Sequence, residues 1–250
     1  MALIYKLIGV IRIAGLAILV FVGLLAGLCS GLIPKPAYAK LARLWHWGVT
    51  VVVGVDCRFT GADVEPGALV VSNHITWLDI SVLGSRLPVV FLASSIIEGW
   101  PVLGWMISRA GTLFIERGTG AAQAVEVMSE NLGAGQSVQI FPEGKTTDGT
   151  SVIKFQPRLM QSAINAGTSI QPVAIRYETK SGDRENRIRY DGDRTFPGSL
   201  WNTVCGGSFV AKVHVFEPIP VQHGRTELGK SAENTVRNWV ESFESSLKII

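Results

Sequence analysis

The stretch Leu69-Val70-Val71-Ser72-Asn73-His74-Ile75-Thr76-Trp77-Leu78-Asp79 decides the fold. Its opening aliphatic run, rich in β-branched residues, predicts a short buried strand. The polar break at Ser72–His74 then leads into a segment with helical spacing. The same build recurs outward in both directions. Short apolar runs at 69–71, 89–93, 112–116, 137–141, 170–177 and 209–216 predict strands. Between them, 79–86, 101–109, 121–132, 157–166 and 232–247 predict helices, with Gly133 and Gly167 at expected helix ends. In the last helix Val236, Trp239, Val240, Phe243 and Leu247 form an apolar stripe. Alternation of this kind predicts an α/β fold, a mainly parallel central sheet flanked by helices. Residues 178–208 are polar and read as a long surface excursion.

Composition adds a membrane to this layout. Of 250 residues, 47% are hydrophobic and only 17% charged, against about 25% charged in ordinary soluble domains. Disordered and coiled-coil classes are excluded. The net charge of +3 is uneven, because residues 1–58 hold six Lys or Arg and one acid, Asp56. A basic apolar end on a near-neutral body points to an anionic bilayer surface, and no nucleic-acid partner is expected. Cys29, Cys57 and Cys205 lie far apart and support neither a disulfide framework nor zinc-ligand spacing.

Residues 13–33 run without a charge between Arg12 and Pro34-Lys35-Pro36, enough for about 30 Å of helix, the thickness of a hydrocarbon core. The Ala37-Tyr38-Ala39 segment offers a signal-peptide cleavage site, but the apolar run exceeds the usual 7–15 residues or so of such a signal. A retained N-terminal membrane-anchoring helical segment is expected over residues 1–55, ahead of a catalytic domain over 56–250. Gly23, Gly27 and Gly31 leave one helix face bare for close approach. Residues 38–53 place Lys40 and Arg43 before Trp45, His46 and Trp47, which suits the headgroup level. One span plus an interfacial helix, or a two-helix hairpin in one leaflet, both fit. Lys35, Lys40 and Arg43 favour a body facing the cytoplasm from the cell inner membrane.

Chemistry-bearing residues gather at the ends of predicted strands, where α/β sheets bind ligands. His74, with Asp79 five residues later, can form a hydrogen-bonded pair in which the carboxylate fixes the ring tautomer and stabilises the imidazolium. The bland alternative is a His–Asp pair that merely caps a helix. No G-x-S-x-G elbow is present, and no metal-ligand cluster surrounds His74 in sequence. The remaining chemistry is a base without a protein nucleophile, suited to activating a substrate hydroxyl. His46, His214 and His223 read as interfacial, strand-face and loop residues.

Four segments in order resemble one family. Asn73-His74 with Asp79, Gly111 through Phe114-Ile115 to Arg117, Phe141-Pro142-Glu143-Gly144, and Pro172-Val173-Ala174 match the blocks of the glycerophospholipid (1-acylglycerol-3-phosphate, PlsC-like) acyltransferases. The resemblance implies that His74 deprotonates an acceptor hydroxyl, which attacks an acyl thioester, with Asp79 orienting His74. It implies that Asn73, Gly111, Arg117 and the segment Phe141, Pro142, Glu143, Gly144, Lys145 and Thr146 form the acceptor site. There Glu143 takes a hydroxyl or steers a cation. The partners implied are a lysophospholipid acceptor in the membrane and acyl-CoA or acyl carrier protein as co-substrate. No cofactor and no metal are expected. Cys29 lies in the anchor and Cys57 and Cys205 outside the four blocks, so no covalent acyl-enzyme is expected.

Departures from the family pattern concern cations. Lys145 and Thr146 follow Gly144 where an arginine often occurs; Ala93-Ser94 replaces an Ala-Lys pair, and Phe155-Gln156 replaces Phe-Lys, flanked by Lys154 and Arg158. The acceptor expected first is 1-acylglycerol-3-phosphate, giving phosphatidate. Tyr190-Asp191-Gly192-Asp193 with Leu200-Trp201 also resembles the lyso-ornithine lipid acyltransferase branch, whose zwitterionic acceptor would need fewer phosphate-binding arginines. A non-catalytic lipid-binding membrane protein and a water-using lipase or thioesterase are the rival classes.

Overall fold

The computed structural model describes residues 2–115 and 121–247, with side chains from 3 to 115 and 121 to 243. Two helices open the chain, α1 (Ala2–Leu28) and α2 (Lys35–Val53). Pro34 and Pro36 flank the start of α2, where proline suits the first helical turn. Gly54, at φ 86°, caps α2 in the left-handed conformation and turns the chain into β1 (Val55–Gly61). The body continues as β2 (Leu69–Ser72), α3 (Asp79–Gly84), β3 (Val90–Ser94), α4 (Ser95–Glu98), α5 (Leu103–Arg109), β4 (Leu113–Ile115), α6 (Ala121–Gly133) and β5 (Val138–Ile140). It ends with α7 (Gln161–Ala166), β6 (Ile170–Glu178), α8 (Phe196–Val204), β7 (Phe209–Val215) and α9 (Arg225–Leu247).

The described strands form one sheet in the order β1-β7-β6-β2-β5-β3-β4. Every neighbouring pair is parallel except β6 and β7. Side chains alternate between the two faces. Val70, Val173 and Ile175 face a core shared with Val49 and Val53 of α2 and Val82 and Leu83 of α3. Leu69, Val71, Val138 and Ile140 face the opposite core, filled by α6, α7 and α9 through Met128, Ala163, Val236 and Val240. Buried on both faces, the central strands read as continuous apolar runs, as parallel sheets do.

Three expectations are corrected. Strand β1 was not expected, because Val55-Asp56-Cys57-Arg58-Phe59-Thr60-Gly61 buries only Val55 and alternates with exposed polar residues. It forms because it is an edge strand paired with β7. Residues 178–208 are not a plain excursion. They hold α8, started by Thr195, whose hydroxyl accepts from Gly198 N–H at 3.3 Å, and they bury Ile188, Ser199, Thr203 and Val204. Small polar residues at those buried positions hid the pattern. Helix α9 starts at Arg225 rather than 232, because its first turns are polar.

Helix α1 is long and apolar enough over Leu3–Leu28 to cross a membrane by length and composition. One side of it is nevertheless docked on the body from Gly9 to Gly27. Arg12 Nη1 donates to the carbonyls of Val204 at 3.0 Å and Gly206 at 2.8 Å, at the end of α8. Trp45 of α2 donates its indole N–H to the Leu19 carbonyl at 2.7 Å. A Cβ added at Gly23 would lie 2.4 Å from Met106 Sδ, and one at Gly27 would lie 2.8 Å from the Trp105 ring. The bare face anticipated from the glycine spacing is thus filled by side chains of α5, while Gly31 meets open space. The other side exposes Ile18, Phe21, Leu25 and Leu28.

Candidate active site

Strand β2 lies between β6 and β5 in the centre of the sheet, so the loops after β2 and β5 emerge together at the carboxyl edge. The first loop carries His74 and the second Phe141–Thr147. Their backbones are tied, since Thr147 N–H donates to the His74 carbonyl at 2.8 Å and Glu143 Oε2 accepts His74 N–H at 2.8 Å. The His74 and Phe141 rings stack with centroids 3.9 Å apart and 14° between planes. Phe141 thereby fixes one face of the imidazole.

His74 Nδ1 and Asp79 Oδ2 are 2.7 Å apart. The same oxygen accepts the N–H of Ile75 at 2.7 Å and of Thr76 at 3.1 Å. The other oxygen, Oδ1, accepts the hydroxyl of Tyr177 at 2.6 Å. Asp79 is fully buried, and a carboxylate removed from water needs such donors to remain charged. With Oδ2 already accepting from amides, Nδ1 carries the proton and Nε2 is the ring nitrogen left to receive one. Tyr177 stays protonated as donor, because burial first and the Asp79 charge second push its hydroxyl well above the ordinary phenol value.

Nine of the sequence-predicted residues divide into two sets. His74, Phe141, Gly144, Lys145 and Thr146 line one cavity. Asn73, Asp79, Pro142 and Glu143 lie buried behind them. Asn73 bridges to β6 with both ends of its amide, donating to the Ile175 carbonyl and accepting the Ile175 N–H, each at 2.9 Å. Both oxygens of Glu143 are engaged by backbone amides, His74 at 2.8 Å and Ile153 at 3.1 Å. Burial pushes this carboxyl up to about 7, against the pull of those two amides. In the structure Glu143 fastens the His74 loop to its neighbour, each carboxylate oxygen accepting one amide. Gly144 adopts φ 72°, and a Cβ there would lie 2.4 Å from Gln156 Nε2. Thr146 Oγ1 donates to the Tyr190 carbonyl. Gly111, at φ 88°, turns the chain from α5 into β4, and its neighbours Ala110 and Thr112 line the cavity. Arg117 lies outside the described residues. His46 points inward, 3.4 Å from Ser81 Oγ and beside Phe91, rather than toward an interface.

The cavity holds about 1760 Å³ and runs from His74 to α1 and α2, beyond the 300–1,000 Å³ or so of ordinary ligand pockets. Its far wall is apolar, with Leu19, Trp45, Phe91, Met106 and Ile107. Its near end carries charges of both signs: Lys145 and Arg194 against Asp148 and Asp191. Burial would raise the Asp148 carboxyl, but two bonds from Thr150 and the charges of Arg189 and Arg184 outweigh it and hold it below the ordinary range. A cavity with an apolar wall, a histidine base and a charged end fits an amphiphile.

Sequence reasoning missed Tyr177, although it shares a strand face with Ile175 and Val173, two and four residues before it. It also missed Phe196, and it took Tyr190 only as part of a branch resemblance; both reach the cavity from the segment read as an excursion.

The acyltransferase family profile matches residues 56–176, the part of the chain that holds these loops. A lyso-ornithine lipid O-acyltransferase from Pseudomonas aeruginosa is 35% identical over 93% of this chain and 90% of its own length. A 1-acyl-sn-glycerol-3-phosphate acyltransferase from Neisseria gonorrhoeae is 39% identical over 64% of each chain. The crystal structure of PlsC, the 1-acyl-sn-glycerophosphate acyltransferase from Thermotoga maritima, superposes with a TM-score of 0.74 at 20% identity, over 97% of this chain and 96% of that one. With profile, full-length relative and fold in agreement, the chain belongs to the glycerophospholipid, PlsC-like, acyltransferase family.

Proposed function

We propose that the protein moves a fatty acyl group from an acyl thioester, on coenzyme A or acyl carrier protein, to the free hydroxyl of a membrane lysolipid, with His74 as general base. The observation that carries this is the buried Asp79 held 2.7 Å from His74 Nδ1 by three further donors, with His74 on the wall of a lipid-sized cavity. Nε2 takes the hydroxyl proton as the oxygen attacks the thioester carbonyl. Collapse of the tetrahedral intermediate expels the thiolate, which recovers that proton from the imidazolium. Asp79 stabilises the imidazolium in between.

For the acceptor we favour lyso-ornithine lipid. The relative of that name aligns in sequence over 93% of the chain, whereas the Neisseria gonorrhoeae lysophosphatidate enzyme aligns over 64%. The paired charges Lys145 and Arg194 against Asp148 and Asp191 suit a headgroup bearing both an ammonium and a carboxylate. The motif blocks alone favour lysophosphatidate first; Lys145 on the cavity wall keeps it as the second reading, with phosphatidate as product. Offering both lysolipids with one acyl thioester and following free thiol decides between them. Thiol release that requires no acceptor would instead make the protein a hydrolase.

The same reading puts the protein at the cell inner membrane with the body toward the cytoplasm. Docking of α1 on α2, α5 and α8 supports a hairpin in the cytoplasmic leaflet rather than a free-standing span. A reporter fused after Ile250 that is active only in the periplasm would overturn that orientation.

A further inference from the structure

Between β3 and α5 the chain presents an apolar tip that the packing of the body leaves uncovered. Ile96, Trp100 and Val102 are 51%, 38% and 47% exposed. Among residues 95–102 only Glu98 is charged. Val102 sits at φ 68°, ψ −61°, in a γ-turn closed by Leu103 N–H to the Pro101 carbonyl at 2.7 Å. That conformation is rare and strained, most of all for a β-branched residue. The turn therefore holds an isopropyl group out toward solvent at a cost in backbone energy, and such outliers cluster at functional segments.

The tip adjoins both the apolar face of α1 and the cavity. Met106, one turn beyond Val102, packs on Gly23 of α1, and Trp105 packs on Gly27. Ile96, Ile97 and Trp100 line the cavity. Trp100 meets Phe196, the first residue of α8, edge-on at 5.6 Å, and Phe196 also meets Trp77 at 5.8 Å and Tyr190 at 6.3 Å. From there α8 runs back to α1, where Cys205 touches Gly9, and exposes Trp201 at 43% on the way. A belt of exposed apolar side chains thus passes from α1 through 95–102 to α8 alongside residues that line the cavity.

We propose that segment 95–102 is a second bilayer-embedded element, separate from α1 and α2, and that Trp100 and Phe196 form the portal through which lipid passes sideways from the leaflet into the cavity. The occupant of this surface is the boundary between headgroups and acyl chains, where tryptophan is favoured and Glu98 can reach water. Lateral entry spares the acyl chain a passage through water, which would cost about 0.8 kcal/mol per exposed CH₂. The proposal rests on a lipid being the acceptor.

The test uses the full chain in vesicles with acyl-CoA as donor. Each variant is given a long-chain lysolipid embedded in the bilayer and, separately, a short-chain lysolipid dissolved in the water phase. Val102→Gly, at a position outside the cavity lining, should lower the rate on the embedded acceptor by about tenfold, equivalent to about 1.4 kcal/mol, while the water-borne acceptor stays within twofold or so. Val102→Gly also relieves the γ-turn, so a folding defect is not expected from it. Equal losses on both acceptors would make the segment part of the site or a protein-docking surface, and no loss on either would leave it without a role; both results overturn the proposal. Quenching of tryptophan fluorescence by bromolipid should also fall in Trp100→Phe. That readout stands even if the chain transfers no acyl group, a result that would refute the reaction alone.

Discussion

Replacing Asp79 by Asn tests how the buried carboxylate works, because the substitution preserves shape. In the structure Oδ2 accepts from His74 Nδ1, Ile75 N–H and Thr76 N–H, and Oδ1 accepts from the Tyr177 hydroxyl. An asparagine oxygen placed at Oδ2 keeps the first three bonds. Its amide nitrogen then falls at Oδ1 and donates to Tyr177, whose hydroxyl rotates to accept. Folding should therefore survive, while the charge opposite the imidazolium is lost and the bond donated by the Tyr177 hydroxyl becomes one it accepts. At an effective dielectric of about 20, unit charges about 4 Å apart attract by roughly 4 kcal/mol. Each 1.36 kcal/mol or so is a factor of ten in rate. Asp79→Asn should thus lower kcat about a thousandfold, measured by thiol release from the acyl thioester, in a variant that still unfolds cooperatively. A variant that keeps more than about a tenth of wild-type kcat would refute the reasoning.

Tyr177→Phe removes one of the four donors to Asp79 without changing ring packing. A buried charged acceptor losing a partner costs about 1.5–3 kcal/mol, so kcat should fall roughly tenfold or more while KM holds, read from full saturation curves. Glu143 gives a pH test. Its folded pKa of about 7 lies above the ordinary value of 4.5, so its contribution is fully present below about pH 4.5 and is lost as pH rises through about 7. Urea midpoints of the wild type should decline between about pH 5 and pH 8 more steeply than those of Glu143→Gln, which cannot ionise; parallel slopes would contradict the assignment. Arg12→Ala should free the first half of α1 from Val204 and Gly206. Easier proteolysis near the N-terminus and a stability loss of about 1–2 kcal/mol are expected, measured by denaturation in detergent.

What the sequence makes legible follows from where the information lies. His74, Asp79 and the 141–146 loop sit at strand ends flanked by continuous apolar runs, and there local pattern and tertiary position coincide. The parallel sheet and the helix stripe of α9 were readable for the same reason. Glu143 shows the limit. Its motif position says that it matters, but only the three-dimensional path of residues 74 and 153 reveals that both oxygens are taken by amides. Tyr177 reaches Asp79 across 98 residues of sequence, and no spacing rule covers such a contact. Strand β1 and helix α8 escaped because their buried positions alternate with, or consist of, small polar groups. Their membership is set by β7 and α1, which they pack against, rather than by their own hydrophobicity.

The central claim is that His74 transfers the proton in an acyl transfer that uses no protein nucleophile. It is tested most directly by purified His74→Ala in vesicles, supplied with an acyl thioester and the preferred lysolipid, with thiol release and acylated lipid followed together. General-base assistance is typically worth about 10²–10⁴ in rate, so kcat should fall at least about a hundredfold while vesicle binding and thermal midpoint stay at wild-type values. A folded, membrane-bound His74→Ala protein that turns over at a rate close to wild type would contradict the account.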